Sequence, residues 1–194
     1  MKKTIIIMLS FLAAATSVLA QDRAVGVRVS TDTFEASYLC NLSSIVFFEA
    51  DLGKDNNDGD SGIKGELMMN IVLAKPQLTA QGSWSLYSGL GIAGGYVYDE
   101  SLSTFTYVHP YYGTRETMPD RWGTGPMLGV ALQAGASYTF DTLPLRVSLD
   151  FRPILGLHRA ERIHPDSDAT SLIGIYGAGI THAYIPKLSV HYIF

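Results

Sequence analysis

Along most of the chain, apolar and polar side chains alternate with a period of two. In SIVFFEADL, Val46, Phe48, Ala50 and Leu52 fall on one face, and Glu49 and Asp51 on the other. In LRVSLDFRPIL, Leu145, Val147, Leu149 and Phe151 oppose Arg146, Ser148, Asp150 and Arg152. In IKGELMMNIVL, Ile63, Leu67, Met69, Ile71 and Leu73 oppose Lys64, Glu66 and Asn70. A helix would spread these charges over several faces, whereas a strand collects them on one.

Gentler versions of the pattern fill most of the remaining chain. Val25, Val27 and Val29 alternate with Gly26, Arg28 and Ser30; Phe34, Ala36, Tyr38 and Cys40 alternate with Glu35 and Ser37. Trp84, Leu86, Leu90, Ile92 and Tyr96 share a face, as do Leu128, Val130, Leu132, Tyr138 and Phe140, the latter set opposed by Gln133. The closing PKLSVHYIF alternates to its last residue: Leu188, Val190, Tyr192 and Phe194 against Ser189, His191 and Ile193. The total is about eight strands. The connections Asn41 to Ser43, Lys75 to Gly82 and Asp141 to Pro144 are short, while Gly53 to Gly62, Asp99 to Gly125 and Leu157 to Leu172 are longer and polar. The turn near Asp32 departs from this asymmetry.

Composition sharpens the reading. Charged residues are only 16% and mean hydropathy is positive, yet beyond the N-terminus no apolar run approaches the ~20 residues of a membrane helix. A chain that is apolar overall but never continuously so fits an all-β, antiparallel up-and-down transmembrane β-barrel. The N-terminal MKKTIIIMLSFLAAATSVLAQD has a basic start, an apolar run and a small-residue cleavage site at Val18-Leu19-Ala20. It predicts a signal peptide over residues 1–20 and a barrel domain over 21–194. Losing Lys2 and Lys3 makes the mature chain more acidic than the full sequence, whose net charge is −4, and argues against nucleic-acid binding. Cys40 is the single cysteine, so no internal disulfide forms; it reads as a small apolar side chain on a lipid-facing position.

Taken together, the strand pattern, the loop asymmetry and the closing LSVHYIF resemble the small bacterial outer-membrane barrels of the OmpA/OmpX type. The resemblance implies an outer-membrane location, membrane lipid as surroundings, and insertion by the barrel-assembly machinery. In that family the machinery reads a terminal strand like Leu188, Val190, Tyr192 and Phe194. It also implies a role that is structural, or recognition of an extracellular ligand or host surface; a monomer is expected.

Such a barrel turns its polar face inward. Arg28, Glu35, Glu49, Asp51, Lys64, Glu66, Asn70, Gln133, Arg146, Asp150, Arg152 and His191 are predicted to line the lumen. An eight-strand lumen is just wide enough for side chains to fill, and buried charges must be paired. A plugged interior is therefore expected, with a narrow channel or a carrier of small solutes or hydrophobic molecules as the alternative. An outer-membrane lipid hydrolase is a second alternative. The five histidines, His109, His158, His164, His182 and His191, offer no evident nucleophile partner. His158, Glu161, His164 and Asp166 match no strong zinc spacing. Lys54 and Gly65 break the EF-hand pattern in GKDNNDGDSG, which reads instead as a hairpin tip on Asp58-Gly59. No catalytic residue, metal or cofactor is expected. In the Asp99 to Gly125 loop, Phe105, Tyr107, Tyr111, Tyr112, Arg115, Arg121 and Trp122 form the candidate recognition surface, and alternation from Thr104 to Val108 predicts that the hairpin extends the barrel wall.

Overall fold

The computed structural model describes residues 23–194, except 58–59, 99–102, 109–110, 114, 121–123 and 163–169. Ten strands form one sheet that closes on itself. The first five are β1 (Arg23–Val29), β2 (Thr33–Asn41), β3 (Val46–Asn57), β4 (Asp60–Ala74) and β5 (Gly82–Tyr98), each antiparallel to the next. A hairpin of β6 (Ser103–Val108) and β7 (Arg115–Asp120) follows, forming a two-stranded sheet of its own. The ring continues with β8 (Thr124–Phe140), β9 (Leu145–Phe151), β10 (Ile154–Arg162), β11 (Thr170–Ile175) and β12 (Lys187–Ile193).

Closure comes from β12, which pairs with β9 on one side and β1 on the other. Strands β9 and β10 both pair with β8 and are split only at Arg152-Pro153, so they make one stave. Strands β11 and β12 make another, interrupted by a helical turn α1 (Ala178–Thr181) and a 3₁₀ turn (His182–Tyr184). The result is a closed, antiparallel, eight-stave up-and-down barrel. Phe194 extends the seam past β12: its N–H donates to the Arg23 carbonyl at 2.8 Å.

The alternation sets the faces. Val27, Leu67, Leu90, Val130, Leu149 and Val190 point outward and are exposed, while the charged partners are buried. Two glycines mark tight points of the interior. A Cβ on Gly26 would collide with the Val190 carbonyl oxygen in the β1–β12 seam, and one on Gly91 would collide with the Met68 sulfur. Neither stave has room for a side chain there.

Three expectations are corrected. The connection 53–62 is mostly strand, since β3 runs to Asn57, which pairs with Asp60; the Asp58-Gly59 tip itself lies outside the described residues. The segment 157–172 is not one long loop, because β10 continues to Arg162 and β11 resumes at Thr170. Both strands run on past the apolar positions, where outward residues such as Lys54 and Arg159 hide the alternation while backbone pairing continues. The third correction is His158, which is no loop residue: it is buried on β10, with Nε2 3.2 Å from the Val97 carbonyl.

Because Gly26 sits against backbone in the closing seam, Gly26→Leu is expected to abolish the folded, heat-modifiable band on gels, at a cost of about 3 kcal/mol. Val27→Leu, one residue away and outward, is expected to retain it.

Candidate functional site: the ion-paired lumen

Every charged residue assigned to the lumen from the sequence is buried and inward, as are Asn70 and Gln133. Two guanidiniums organise the set. Arg28 on β1 binds Glu49, Asp51 (3.4 Å) and Asp150 (3.2 Å). Arg152, between β9 and β10, binds Glu49 (3.1 Å), Asp51 and Glu66, with Asp150 at 4.0 Å. Strand β3 is the third stave and β9–β10 the seventh, so the Arg152–Asp51 and Arg152–Glu49 pairs join opposite walls.

Amide and hydroxyl groups add to the coordination. Gln133 Nε2 donates to Glu49 at 3.2 Å, Asn70 Nδ2 donates to it at 3.5 Å, and the Tyr87 hydroxyl donates to Asp150 at 3.1 Å. His191 Nε2 lies 2.8 Å from Ser37 Oγ. A second knot joins Lys64 and Lys187 to Glu35 and Glu66, with Lys187 2.9 Å from Glu35. The sequence reading missed Lys187, although it shares parity with Ser189 and His191; a cation beside Pro186 at a strand start looks like a turn residue. With it, the buried acids Glu35, Glu49, Asp51, Glu66 and Asp150 face the buried cations Arg28, Lys64, Arg146, Arg152 and Lys187, five against five among the described residues. Glu35, Asp51 and Glu66 lie close enough together to share a metal, but these cations already occupy the space around them.

The network is flanked by two apolar zones. Towards the loop end, Met68, Val97, Met127, Ala131, Ile154 and Tyr176 form one cluster. Towards the termini, Ala24, Leu39, Phe47 and Tyr87 form another, with Phe47 and Tyr87 edge to face at 5.2 Å. Arg146 lies beside this second cluster, its guanidinium 4.6 Å from the Phe47 ring centre and 5.7 Å from that of Tyr87.

At the break in the eighth stave, His182 Nδ1 donates to Asp32 at 2.6 Å, and Ser30 Oγ donates to the same carboxylate. Burial raises the Asp32 carboxyl, but the His182 and Ser30 hydrogen bonds outweigh it and hold it well below the usual carboxylate range. In this trio the carboxylate accepts from both the serine and the histidine, which differs from an arrangement in which an imidazole accepts the proton of a nucleophilic hydroxyl.

The candidate recognition loop is described only in part. Tyr111 and Tyr112 are exposed, at 90% and 78%. Phe105 and Tyr107 stand on β6 and Arg115 on β7; Arg121 and Trp122 lie outside the described residues, as do His109, His164 and Asp166. The terminal set Leu188, Val190, Tyr192 and Phe194 faces outward.

The fold and the interior together define a closed antiparallel barrel, apolar outside and ion-paired inside. No family model and no curated protein matches this chain. Two solved structures are similar to it in layout. The N-terminal β-barrel domain of Pseudomonas aeruginosa OprF is 12% identical, with a TM-score of 0.45 over 90% of this chain and 96% of that one. A major outer membrane protein from Thermus thermophilus is 11% identical, with a TM-score of 0.47 over 91% of this chain and 100% of that one. Likeness at this level carries neither a residue's role nor an activity across.

Removing one partner of a buried pair strands the others. Arg152→Met is therefore expected to cost about 3–5 kcal/mol in urea unfolding of the detergent-folded barrel. Lys187→Met should be partly rescued by Glu35→Gln, giving a favourable coupling in a double-mutant cycle.

Proposed function

We propose that this protein is an integral outer-membrane barrel with a sealed lumen, whose structural or recognition role is exercised at its loop end. The observation that carries the reading is the inversion of faces: apolar side chains ring the outside of a closed wall while a charge-balanced network fills the inside. A soluble domain does the reverse, and an exterior of this kind is at home in hydrocarbon. Aromatic residues support the placement. Trp84, Tyr138 and Phe140 stack on the outer face near the termini, with ring centres 5.1 and 4.8 Å apart, as the interfacial girdle of a barrel requires. Closure also satisfies the backbone groups that lipid would leave unbonded.

The sealed reading follows from the two arginines that bridge opposite walls, because an ion path along the axis must pass Arg28, Arg152 and their carboxylates. Tyr111 and Tyr112, exposed beyond the barrel, suit contact with an external surface. One observation favours a carrier of small hydrophobic molecules as the second reading: the apolar zone at the loop end lies beside the interrupted eighth stave.

Planar-bilayer recording tests the seal. The wild type is expected to give no steady current, and the double variant Arg152→Ala, Glu66→Ala is expected to give one; steady wild-type currents that change in Asp150→Asn would overturn the sealed lumen. Orientation is tested separately in a Cys40→Ser background. Tyr111→Cys should react with a membrane-impermeant maleimide on intact cells, and Ser43→Cys only after lysis; the reverse pattern would invert the barrel.

A further inference from the structure

At the end of the barrel that carries the termini and the short turns, the lumen opens into a cavity of about 580 Å³. Its lining is one-sided in charge: Arg23, Lys75 and Arg146 contribute to it, together with the hydroxyls of Ser83, Ser85 and Thr139, and no carboxylate side chain does. Its apolar wall is Leu39, Phe47 and Val72.

Arg146 is the unusual member. It is only 9% exposed, yet among the described residues no carboxylate lies within ion-pair distance of it, and its Nε, like those of Arg28 and Arg152, has no hydrogen-bond partner. The other lumen cations, Arg28, Lys64, Arg152 and Lys187, each touch at least two acids. Tyr87, beside Arg146, gives its hydroxyl to Asp150. The rings of Phe47 and Tyr87 hold the guanidinium by its face, an arrangement that leaves its N–H edge for a ligand. A buried guanidinium without a counterion is costly for folding alone. It is well suited to receive an oxyanion, which its planar fork binds in bidentate fashion.

We propose that this vestibule is an anion-binding site, anchored by Arg146, for a phosphate group. The phosphate is carried either by a small soluble molecule or by a lipid headgroup at the membrane surface. The volume is ample for a small organic anion, and the apolar wall accommodates the body that bears the charge. Binding itself does not depend on membrane orientation; only the assignment of the source to the periplasmic side rests on the function proposed above. Failure of the labelling experiment would therefore leave the site standing.

The test uses the full barrel folded in a phosphate-free maltoside detergent, titrated at constant ionic strength with inorganic phosphate and, separately, with dihexanoyl phosphatidylglycerol, read by phosphorus NMR. Saturable binding of phosphate supports a soluble ligand, and saturation by the lipid alone supports a headgroup. In both cases Arg146→Met is expected to weaken binding at least tenfold while remaining heat-modifiable, because it strands no carboxylate. Arg146→Lys, which keeps the charge but not the fork, should fall between. If Arg146→Met does not fold, the double variant Ser83→Ala, Ser85→Ala serves instead and is expected to weaken binding several-fold. Absence of saturation with both probes, or affinity unchanged in the folded variant, overturns the proposal.

Discussion

Two arginines hold opposite walls of this barrel together. A soluble domain is compacted by burying apolar surface, but an assembly in lipid gains little from apolar contacts, since hydrocarbon is as good a neighbour outside as inside. Cohesion must then come from the backbone ring and from the polar interior. Arg28 and Arg152 supply the interior part by sharing Glu49, Asp51 and Asp150 between β1, β3 and β9. Each carboxylate is compensated for its lost hydration by more than one donor, the condition under which buried ions are tolerated. The same bridges span the cross-section, so cohesion between opposite walls and the filling of the lumen have one origin.

Much of this interior was legible in the sequence because a strand's period of two sorts side chains without ambiguity. Glu49 and Asp51 stand between Phe48, Ala50 and Leu52, so once the outer face is apolar both acids must point inward. The signal failed where its physical cause ended. Above the apolar band the outward positions are no longer consistently aliphatic: Lys54 and Arg159 stand there, and β3 and β10 continue without an alternation to reveal them. His158 was misread for this reason: its neighbours Arg159 and Glu161 look like loop residues, although its own side chain is inward. Lys187 was missed at the opposite extreme, where a strand begins directly after proline. Contacts across the lumen, such as Arg152 with Asp51, leave no mark in a single sequence, since they depend on closure rather than spacing.

The balance of five acids and five cations is also uneven in space. Four of the cations touch carboxylates and one does not, so the region containing Glu49 and Asp150 is left with an acid in excess, and Arg146 sits apart behind aromatic rings. Electroneutrality over the whole lumen therefore coexists with a separation of charge along its axis. The separation gives the vestibule a positive lining while the buried charges of the described residues still balance.

The break in the eighth stave poses the hardest physical problem for the wall. Between β11 and β12 the strand is interrupted over residues 176–186, with one last bond across to β10 from the Tyr176 N–H to the Gly156 carbonyl at 2.9 Å, and unpaired backbone groups are not tolerated against lipid. The chain answers by bonding to itself. The N–H groups of Ile180 and Thr181 donate to the Gly177 carbonyl at 3.0 Å, that of Ile185 donates to the His182 carbonyl at 3.0 Å, and the Thr181 hydroxyl donates to the Gly177 carbonyl at 3.2 Å. A helical turn needs no neighbouring strand, and it is the one regular structure that fills such a gap from its own hydrogen bonds. Small residues let it fit: Ala178 and Gly179 are buried, and a Cβ on Gly179 would lie 2.5 Å from the Ile154 carbonyl oxygen. The Asp32–His182 pair then joins this insert to the β1–β2 turn. Local backbone bonds thus replace the ladder across the gap, and the insert is tied to the turn through the Asp32–His182 hydrogen bond rather than by a row of backbone bonds.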